Sequence, residues 1–471
     1  MERVGDDVSE GSPIRRVLVA NRGEIATRII RTCRRLGIGT VLTVSAADRE
    51  SLPARLADRA VCIGPARPGD SYLQPGAVVH AAIATGCDAI HPGYGFLSER
   101  AVLARLCEEN GVIFIGPTSA QIDAVGDKLR ARAEAIAAAV PVVPGGAAES
   151  LEEALALGAK IGAPLLVKAV GGGGGRGMKR VDRLEDLPDA LALAAAEAGA
   201  AFGDPRVYLE RFVARGRHVE VQVLGDGEGE VIHLGERDCS VQRRYQKLIE
   251  ETPAPGLPAT LRADMHAAAV RFARSLRYRG AGTVEFLVDV DRNEFYFLEM
   301  NARIQVEHPV TEAVTGLDLV EEQLAIAAGR GLRLLQDAVR LDGCAIECRI
   351  NAEDPAREFM PSPGTVQRVS WPEGDGVRVD THIVDGAKVP PFYDSLLAKL
   401  IVHAPDRGRA LERLAAAVAA TSLDGVATNL AFHAAVLRDD AFRAGGVDTG
   451  FLERFLAHSP ALASSPESAH G

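Results

Sequence analysis

The chain has 471 residues, 47% of them hydrophobic and 25% charged, which at about 150 residues per domain gives roughly three globular units with room for a sizeable core. Its 53 Lys and Arg against 64 Asp and Glu leave a net charge of −11. That balance excludes a general binder of nucleic acid or anionic membrane and confines basic clusters to local tasks. Seven scattered cysteines form no CxxC pair, which predicts reduced thiols and a cytoplasmic location. No apolar run approaches the about 18 residues of a membrane span, and the acidic start MERVGDDVSEG lacks the layout of a signal peptide. Residues 1–12 and 458–471 are small, polar or charged and predict flexible tails.

In chain order, RVLVA (16–20) reads as a buried strand. NRGE is a turn, and 25–36 forms a helix with Ile25, Ile29, Ile30, Cys33 and Leu36 on one face. Strand 40–45 completes a βαβ unit, and the alternation continues through strands 60–63, 89–91 and 112–115 with helices near 77–84 and 101–110. The spacing predicts a Rossmann-like domain with a parallel sheet over 13–127. Gly23 alone does not make a dinucleotide fingerprint. A central domain is expected over 132–329. In it, strand LLVKAV, a glycine run and strand MKRV predict a hairpin rather than the loop-to-helix turn of a Walker A site. Antiparallel strands HVEVQVL, VIHLGE, GTVEFLVDV and EFYFLEMN follow. A smaller third domain, over 345–452, begins with strand CAIECRIN.

Three constellations carry chemistry. The run Gly171, Gly172, Gly173, Gly174, Gly175, Arg176, Gly177 follows Lys168 and precedes Met178. Glycines let backbone N–H groups reach phosphate oxygens and let a loop move as a lid; a flexible linker has the same composition. In FYFLEMNARIQVEH, an extended chain puts Glu299, Asn301, Arg303, Gln305 and Glu307 on one face. A DRN hairpin brings Glu285 beside Glu299, giving hard oxygen ligands suited to Mg²⁺ on nucleotide phosphates. The string ERDCSVQRRYQK gathers Arg237, Arg243, Arg244 and Lys247, either an anion site or a basic solvated loop. ECRINAED offers Glu347, Arg349 and Asn351 opposite Cys348 and Ile350, with Cys344 and Cys348 read as core.

Taken together, ANRGEIA, HPGYGFLSE, GDK, KAVGGGGGRGM, HVEVQV, ERDCSVQRR, EMNARIQVEHPVTE and ECRINAED resemble, in order, the motifs of the biotin carboxylases, members of the ATP-grasp superfamily. The resemblance spans about residues 13 to 457. It implies an ATP-grasp central domain with a lid at about 143–213 and a C-terminal biotin-carboxylase domain. It implies that ATP phosphorylates bicarbonate to carboxyphosphate, whose CO₂ is captured by N1 of biotin. By motif position, Lys128, Lys168, the residues 171–178, Glu210, Arg211, Val213, His218 and Tyr245 would bind the nucleotide. Glu285, with Glu299 and Asn301, would hold Mg²⁺ or Mn²⁺ at two sites. Lys247, Arg303, Gln305 and Val306 would seat bicarbonate, Glu307 would act as general base, and Arg349 would bind biotin and stabilise its enolate.

Arg211, Tyr245 and Ala302 depart from the Lys, His and Thr usual in that pattern, and are expected to tune ATP affinity. A carrier domain would show AMKM or VMKM, whereas the only Met-Lys pair is Met178-Lys179. The resemblance therefore implies biotin on a separate biotin carboxyl carrier protein, a separate carboxyltransferase and a homodimer. It further implies the first half-reaction of an acetyl-CoA or related acyl-CoA carboxylase, as in fatty acid biosynthesis. Another ATP-grasp ligase and a non-catalytic nucleotide-binding subunit are the alternatives.

Overall fold

The computed structural model describes residues 13–148, 150–170 and 178–458. The glycine run 171–177, residues 1–12 and residues 459–471 lie outside the described residues. Strands β1 (Arg16–Val19), β2 (Gly39–Ser45), β3 (Arg59–Gly64), β4 (Ala89–His91) and β5 (Ile113–Phe114) form a sheet in the order β3-β2-β1-β4-β5. Every pairing in it is parallel, as the alternating pattern predicts. The helix Gly23–Arg35 buries Ile25, Ile29, Ile30 and Cys33 against this sheet. Its turn from β1 needs Gly23, whose φ of +67° is disfavoured for side-chain-bearing residues. Asn21 locks the same turn, its Nδ2 donating at 2.7 Å to the carbonyls of Pro92 and Tyr94.

A four-stranded sheet follows, in the order β6-β9-β7-β8, from β6 (Gly145–Ala147), β7 (Leu165–Ala169), β8 (Met178–Val181) and β9 (Val207–Arg211). β7 and β8 pair antiparallel with Lys168 opposite Met178. The expected hairpin therefore exists, and these two residues stand at its mouth.

The largest sheet has eight strands. It comprises β10 (Gly216–Asp226), β11 (Val231–Arg243), β12 (Gln246–Thr252), β13 (Arg279–Asp289), β14 (Glu294–Asn301), β15 (Cys344–Asn351), β16 (Val377–Thr381) and β17 (Leu396–Ala404). Their order is β14-β13-β10-β11-β12-β15-β17-β16, antiparallel throughout. CAIECRIN therefore does not start a detached sheet. Its edge pairs with β12, which leaves neither strand with an open ladder. Cys344 and Cys348 are buried on its apolar face, as expected.

One expectation fails locally. The strand that carries Glu299 ends at Asn301 and does not run extended to Glu307. The chain turns through 302–307 into the helix His308–Thr315, for which Pro309 supplies a pre-set first turn. Arg303, Gln305 and Glu307 thus reach the same region from a loop, not from one strand face.

The parallel sheet and this region are tied by charge. Asp318 caps the helix Leu319–Ala327 by accepting from the Glu321 N–H at 3.0 Å. Its carboxylate also accepts from Arg28 at 2.8 Å and Thr32 at 2.9 Å. Burial works against the Asp318 charge, but Arg28 outweighs it and holds the carboxyl down at about 2. Because the folded value lies below the unfolded one of about 3.9, this stabilisation is complete above about pH 4 and is lost as pH falls through 2. Asp318→Asn is expected to cost about 2–3 kcal/mol at pH 7 in urea unfolding, with the difference from wild type shrinking as pH is lowered toward 3.

Candidate active site

The register of the large sheet sets four charged residues in one row across four strands. Arg237 on β11 lies opposite Glu220 on β10, Glu220 opposite Glu285 on β13, and Glu285 opposite Glu299 on β14. The DRN hairpin thus places Glu285 beside Glu299, as the sequence predicts. All four are buried or nearly so. Like charges directly opposite on neighbouring strands repel, so cations must be supplied from the rows alongside.

Lys247, at the start of β12, is the main one. Its Nζ donates to Glu220 Oε2 at 2.5 Å, Glu307 Oε1 at 2.6 Å and Glu285 Oε1 at 2.9 Å. Burial opposes the ammonium charge, yet the three carboxylates hold Lys247 well above its ordinary range. Glu285 Oε1 is crowded, accepting also from Asn301 at 2.9 Å and Gln305 at 3.0 Å, whereas among the described residues its Oε2 has only His218 Nε2, at 3.0 Å. Against burial, Lys247 and then His218 push the Glu285 carboxyl far down. His218 is itself raised, with Glu285 overcoming desolvation.

Glu307 occupies the N-cap position of the helix His308–Thr315, where the helix dipole favours an anion. Its Oε2 accepts from Arg349 Nη2 at 3.0 Å. Burial would protonate it, but Lys247, Arg349 and Arg237 keep it well below the usual carboxylate range. Arg303 donates to Gln305 Oε1 at 2.6 Å and Asn301 Oδ1 at 2.8 Å, and its Nε pairs with Glu99 at 2.9 Å. The Val306 carbonyl is held by Lys399 Nζ at 2.8 Å. Lys247, Arg303, Gln305, Val306, Glu307 and Arg349 thus converge, although two strands and a loop deliver them.

At the other end of the row, burial and Glu285 raise the Glu299 carboxyl while Lys128 pulls it down. A divalent cation between Glu285 and Glu299 would remove that repulsion, and two carboxylates with an amide oxygen fit Mg²⁺ or Mn²⁺. His218, Glu220 and Glu285 also bring ligand atoms within 4.8 Å of one another. The Lys247 ammonium already bonds two of them. A cleft of about 220 Å³ opens beside Glu299, lined by Lys128, Glu99 and Asn301. Lys168 donates to Glu210 Oε2 at 2.5 Å, and Arg132 lies 3.4 Å from Glu210 Oε1.

Several sequence expectations are redistributed. His218, expected at the nucleotide, lies 3.0 Å from Glu285. Arg211 donates to the Tyr296 hydroxyl and lies 3.5 Å from Asp289. Val213 is half-buried in the loop after β9. Tyr245 and Arg244, with φ of +66° and +48°, form the tip of the β11–β12 hairpin, where Tyr245 is 59% exposed. The basic string does not gather into one anion site. Arg237 is fully buried and spent on Glu220, Gln222, Thr283 and Thr311, while Arg243 donates to the Glu358 carbonyl. Of the string, Arg237 and Lys247 reach the carboxylates, while Arg243 turns to Glu358 and Arg244 stands at the hairpin tip. The sequence reading passed over Glu220, Glu99, Glu250 and Lys399. The alternation His218, Glu220, Gln222 in HVEVQV carried a usable signal for the first.

Removing Lys247 leaves Glu220, Glu285 and Glu307 buried without their shared cation. Lys247→Met is expected to lose roughly 3–5 kcal/mol of stability at pH 8 by urea unfolding. The loss should diminish toward pH 5, because carboxyls no longer held down by Lys247 take up protons there.

Comparisons with known proteins fit this geometry. Residues 13–122 match the biotin carboxylase N-terminal domain, 127–335 the ATP-binding domain of the carbamoyl-phosphate synthase L chain, and 347–454 the biotin carboxylase C-terminal domain. The chain is 52% identical over 446 residues to biotin carboxylase of Pseudomonas aeruginosa, covering 94% of this chain and 99% of that one. It is 49% identical over 444 residues to biotin carboxylase 1 of Bacillus subtilis, again 94% and 99%. Biotin carboxylase of Campylobacter jejuni, solved as a β,γ-ATP complex, superimposes with a TM-score of 0.90 at 43% identity, covering 94% and 99%. The biotin carboxylase domain dimer of Hydrogenobacter thermophilus 2-oxoglutarate carboxylase, solved with magnesium ADP, ADP and bicarbonate, gives 0.89 at 44%, covering 96% and 99%. Full-length similarity, three matched domains and the converging cluster together place this chain in the biotin carboxylase family.

Proposed function

We propose that this chain carboxylates biotin with ATP and bicarbonate, the biotin being carried on a separate biotin carboxyl carrier protein, and that Glu307 is the base that activates bicarbonate. The observation that carries this reading is the Glu307 carboxylate shared between Lys247 and Arg349 at 2.6 and 3.0 Å, with Arg303 and Gln305 beside it. An anion entering there meets the ammonium and guanidinium charge now spent on Glu307. Bicarbonate would share Lys247 and Arg303 and bring its own negative charge close, and both effects raise the proton affinity of Glu307. Glu307 then takes the bicarbonate proton as an oxygen of bicarbonate attacks the γ-phosphorus of ATP. The P–O bond to ADP breaks and carboxyphosphate forms.

Carboxyphosphate releases CO₂ and phosphate inside the pocket. The phosphate takes the proton from N1 of the ureido ring, N1 attacks CO₂, and Arg349 stabilises the enolate oxygen. Lys128, Lys168, the glycine run 171–177 and Met178 are assigned to the nucleotide phosphates, with Glu210, Arg211, Val213, His218 and Tyr245 on its nucleoside side. Glu285, Glu299 and Asn301 would hold Mg²⁺ or Mn²⁺, which neutralises charge on the migrating phosphoryl group. The boundaries 13–127, 132–329 and 345–452 are proposed as the working units. We further assign the chain to the first half-reaction of an acyl-CoA carboxylase, as a homodimer beside a separate carboxyltransferase. Seven free cysteines, and no helix among the described residues long and apolar enough to span a membrane, support a cytoplasmic setting.

The test is ADP release with Mg²⁺ and bicarbonate, with and without free biotin. Wild type is expected to respond to both additions. Glu307→Gln is expected to lose roughly 10²–10⁴-fold of the biotin-stimulated rate while still binding ATP. ATP cleavage indifferent to bicarbonate and biotin would overturn the reading.

A further inference from the structure

We propose that Glu250 is the positioning residue for Arg349, holding the Nε–Nη2 edge of its guanidinium while Glu307 meets the same Nη2, and that Glu347 beside it remains a neutral acid so that the clamp carries one negative charge. This rests on the reading of Arg349 as the group that meets the biotin ring.

Arg349 Nε donates to Glu250 Oε1 at 2.6 Å, and its Nη2 lies 2.5 Å from the same oxygen. The guanidinium therefore bridges two carboxylates from different elements: Glu250 on β12, fixed in the middle of the large sheet, and Glu307 at a helix start. The next pair in the sheet is unusual. Glu250 lies directly opposite Glu347 on β15, both are fully buried, and Arg349 lies opposite Lys399 on β17. Glu250 Oε2 and both Glu347 oxygens have no hydrogen-bond partner among the described residues.

Two ionised carboxylates cannot stand side by side in a dry sheet with three oxygens unbonded. One proton resolves this. A carboxyl O–H on Glu347 supplies the donor that Glu250 Oε2 lacks, across the about 5 Å that separates paired side-chain stems. Burial raises the Glu250 carboxyl too, to about 7, but the Arg349 guanidinium that touches it pulls it back, so of the pair it is Glu347 that holds the proton. The groups facing this pair are Lys247 on β12, Arg349 on β15, Glu307 from the loop and Lys399 on β17. Burial, opposed by Lys399 but reinforced by Glu250, sets the Glu347 carboxyl well above its ordinary range. With the proton parked on Glu347, Arg349 stays balanced between Glu250 and Glu307. It keeps one fixed plane from which to meet an uncharged ureido ring that becomes an anion.

Two measurements separate this from the reading it rests on. Infrared difference spectra at pH 7 are expected to show the C=O band of a buried, protonated carboxylic acid that disappears in Glu347→Gln. A wild-type spectrum without that band, or one unchanged by the substitution, overturns the neutral acid. Glu250→Gln is expected to lower biotin-stimulated ADP release at least tenfold more than biotin-independent, bicarbonate-dependent ATP cleavage, with the rise in KM confined to biotin. It should also speed exchange of the Arg349 Nε–H seen by ¹⁵N NMR. Equal losses in both activities with an unaltered Nε–H overturn the positioning role. Should Glu250→Gln fail to fold, Glu250→Asp keeps the charge, withdraws it by one methylene and is expected to show the same selectivity. Wild type without biotin stimulation would refute the assigned reaction, while the infrared band and the Nε–H exchange would still decide the clamp.

Discussion

Glu220, Glu285 and Glu299 stand side by side on neighbouring strands with water largely excluded, and the surrounding site is organised by their mutual repulsion. Two unit charges about 5 Å apart repel by about 3 kcal/mol at an effective dielectric constant of about 20. A sheet with three such groups in a row must be given cations or protons. Arg237 terminates the row at one end, Lys247 and His218 meet it in the middle, and Lys128 acts on Glu299 at the far end, where the proposed metal ion would sit. The same Lys247 extends the arrangement to Glu307, and through it to Arg349.

This arrangement explains why so many ionisable groups are packed where a folding protein gains little from them. Buried ion pairs seldom stabilise more than well-packed apolar residues would, so their retention points to work done by the charges. Before substrate arrives, the pocket is neutralised by its own side chains, with Glu307 as the stand-in anion for Lys247. In the proposed mechanism an incoming anion changes the partition of those cations, and Glu307 turns from a paired carboxylate into a proton acceptor. Basicity would then be tied to substrate entry, limiting activation of water when the pocket holds no bicarbonate.

Much of this was legible in the sequence because β alternation and short turns are local. The βαβ pattern before residue 127, the hairpin on either side of the glycine run and the apposition of Glu285 with Glu299 all follow from periods of two and from turn residues such as the DRN tripeptide. Register between distant strands is not local. Nothing near Glu250 in sequence shows that it will face Glu347, almost a hundred positions later, or that Lys399 will hold the Val306 carbonyl. The continuous strand face expected from Glu299 to Glu307 failed because the strand ends at Asn301 and a loop through 302–307 leads into the helix that starts at His308. The basic string misled for a related reason. Charge density along a strand says nothing of which side of the sheet each residue takes, and Arg237 was consumed by Glu220.

In the proposed mechanism Lys247 and Arg349 keep Glu307 ionised until an anion competes for them. The most direct measurement is the ¹³C NMR titration of glutamate side-chain carboxyls in labelled protein, with Glu307 assigned by its loss in Glu307→Gln. The account requires the Glu307 signal to stay at the carboxylate position from pH 9 down to pH 5 without bicarbonate, and to move toward the protonated position when bicarbonate is added. A Glu307 signal that titrates between pH 5 and 8 in the free protein, or one indifferent to bicarbonate, would contradict it.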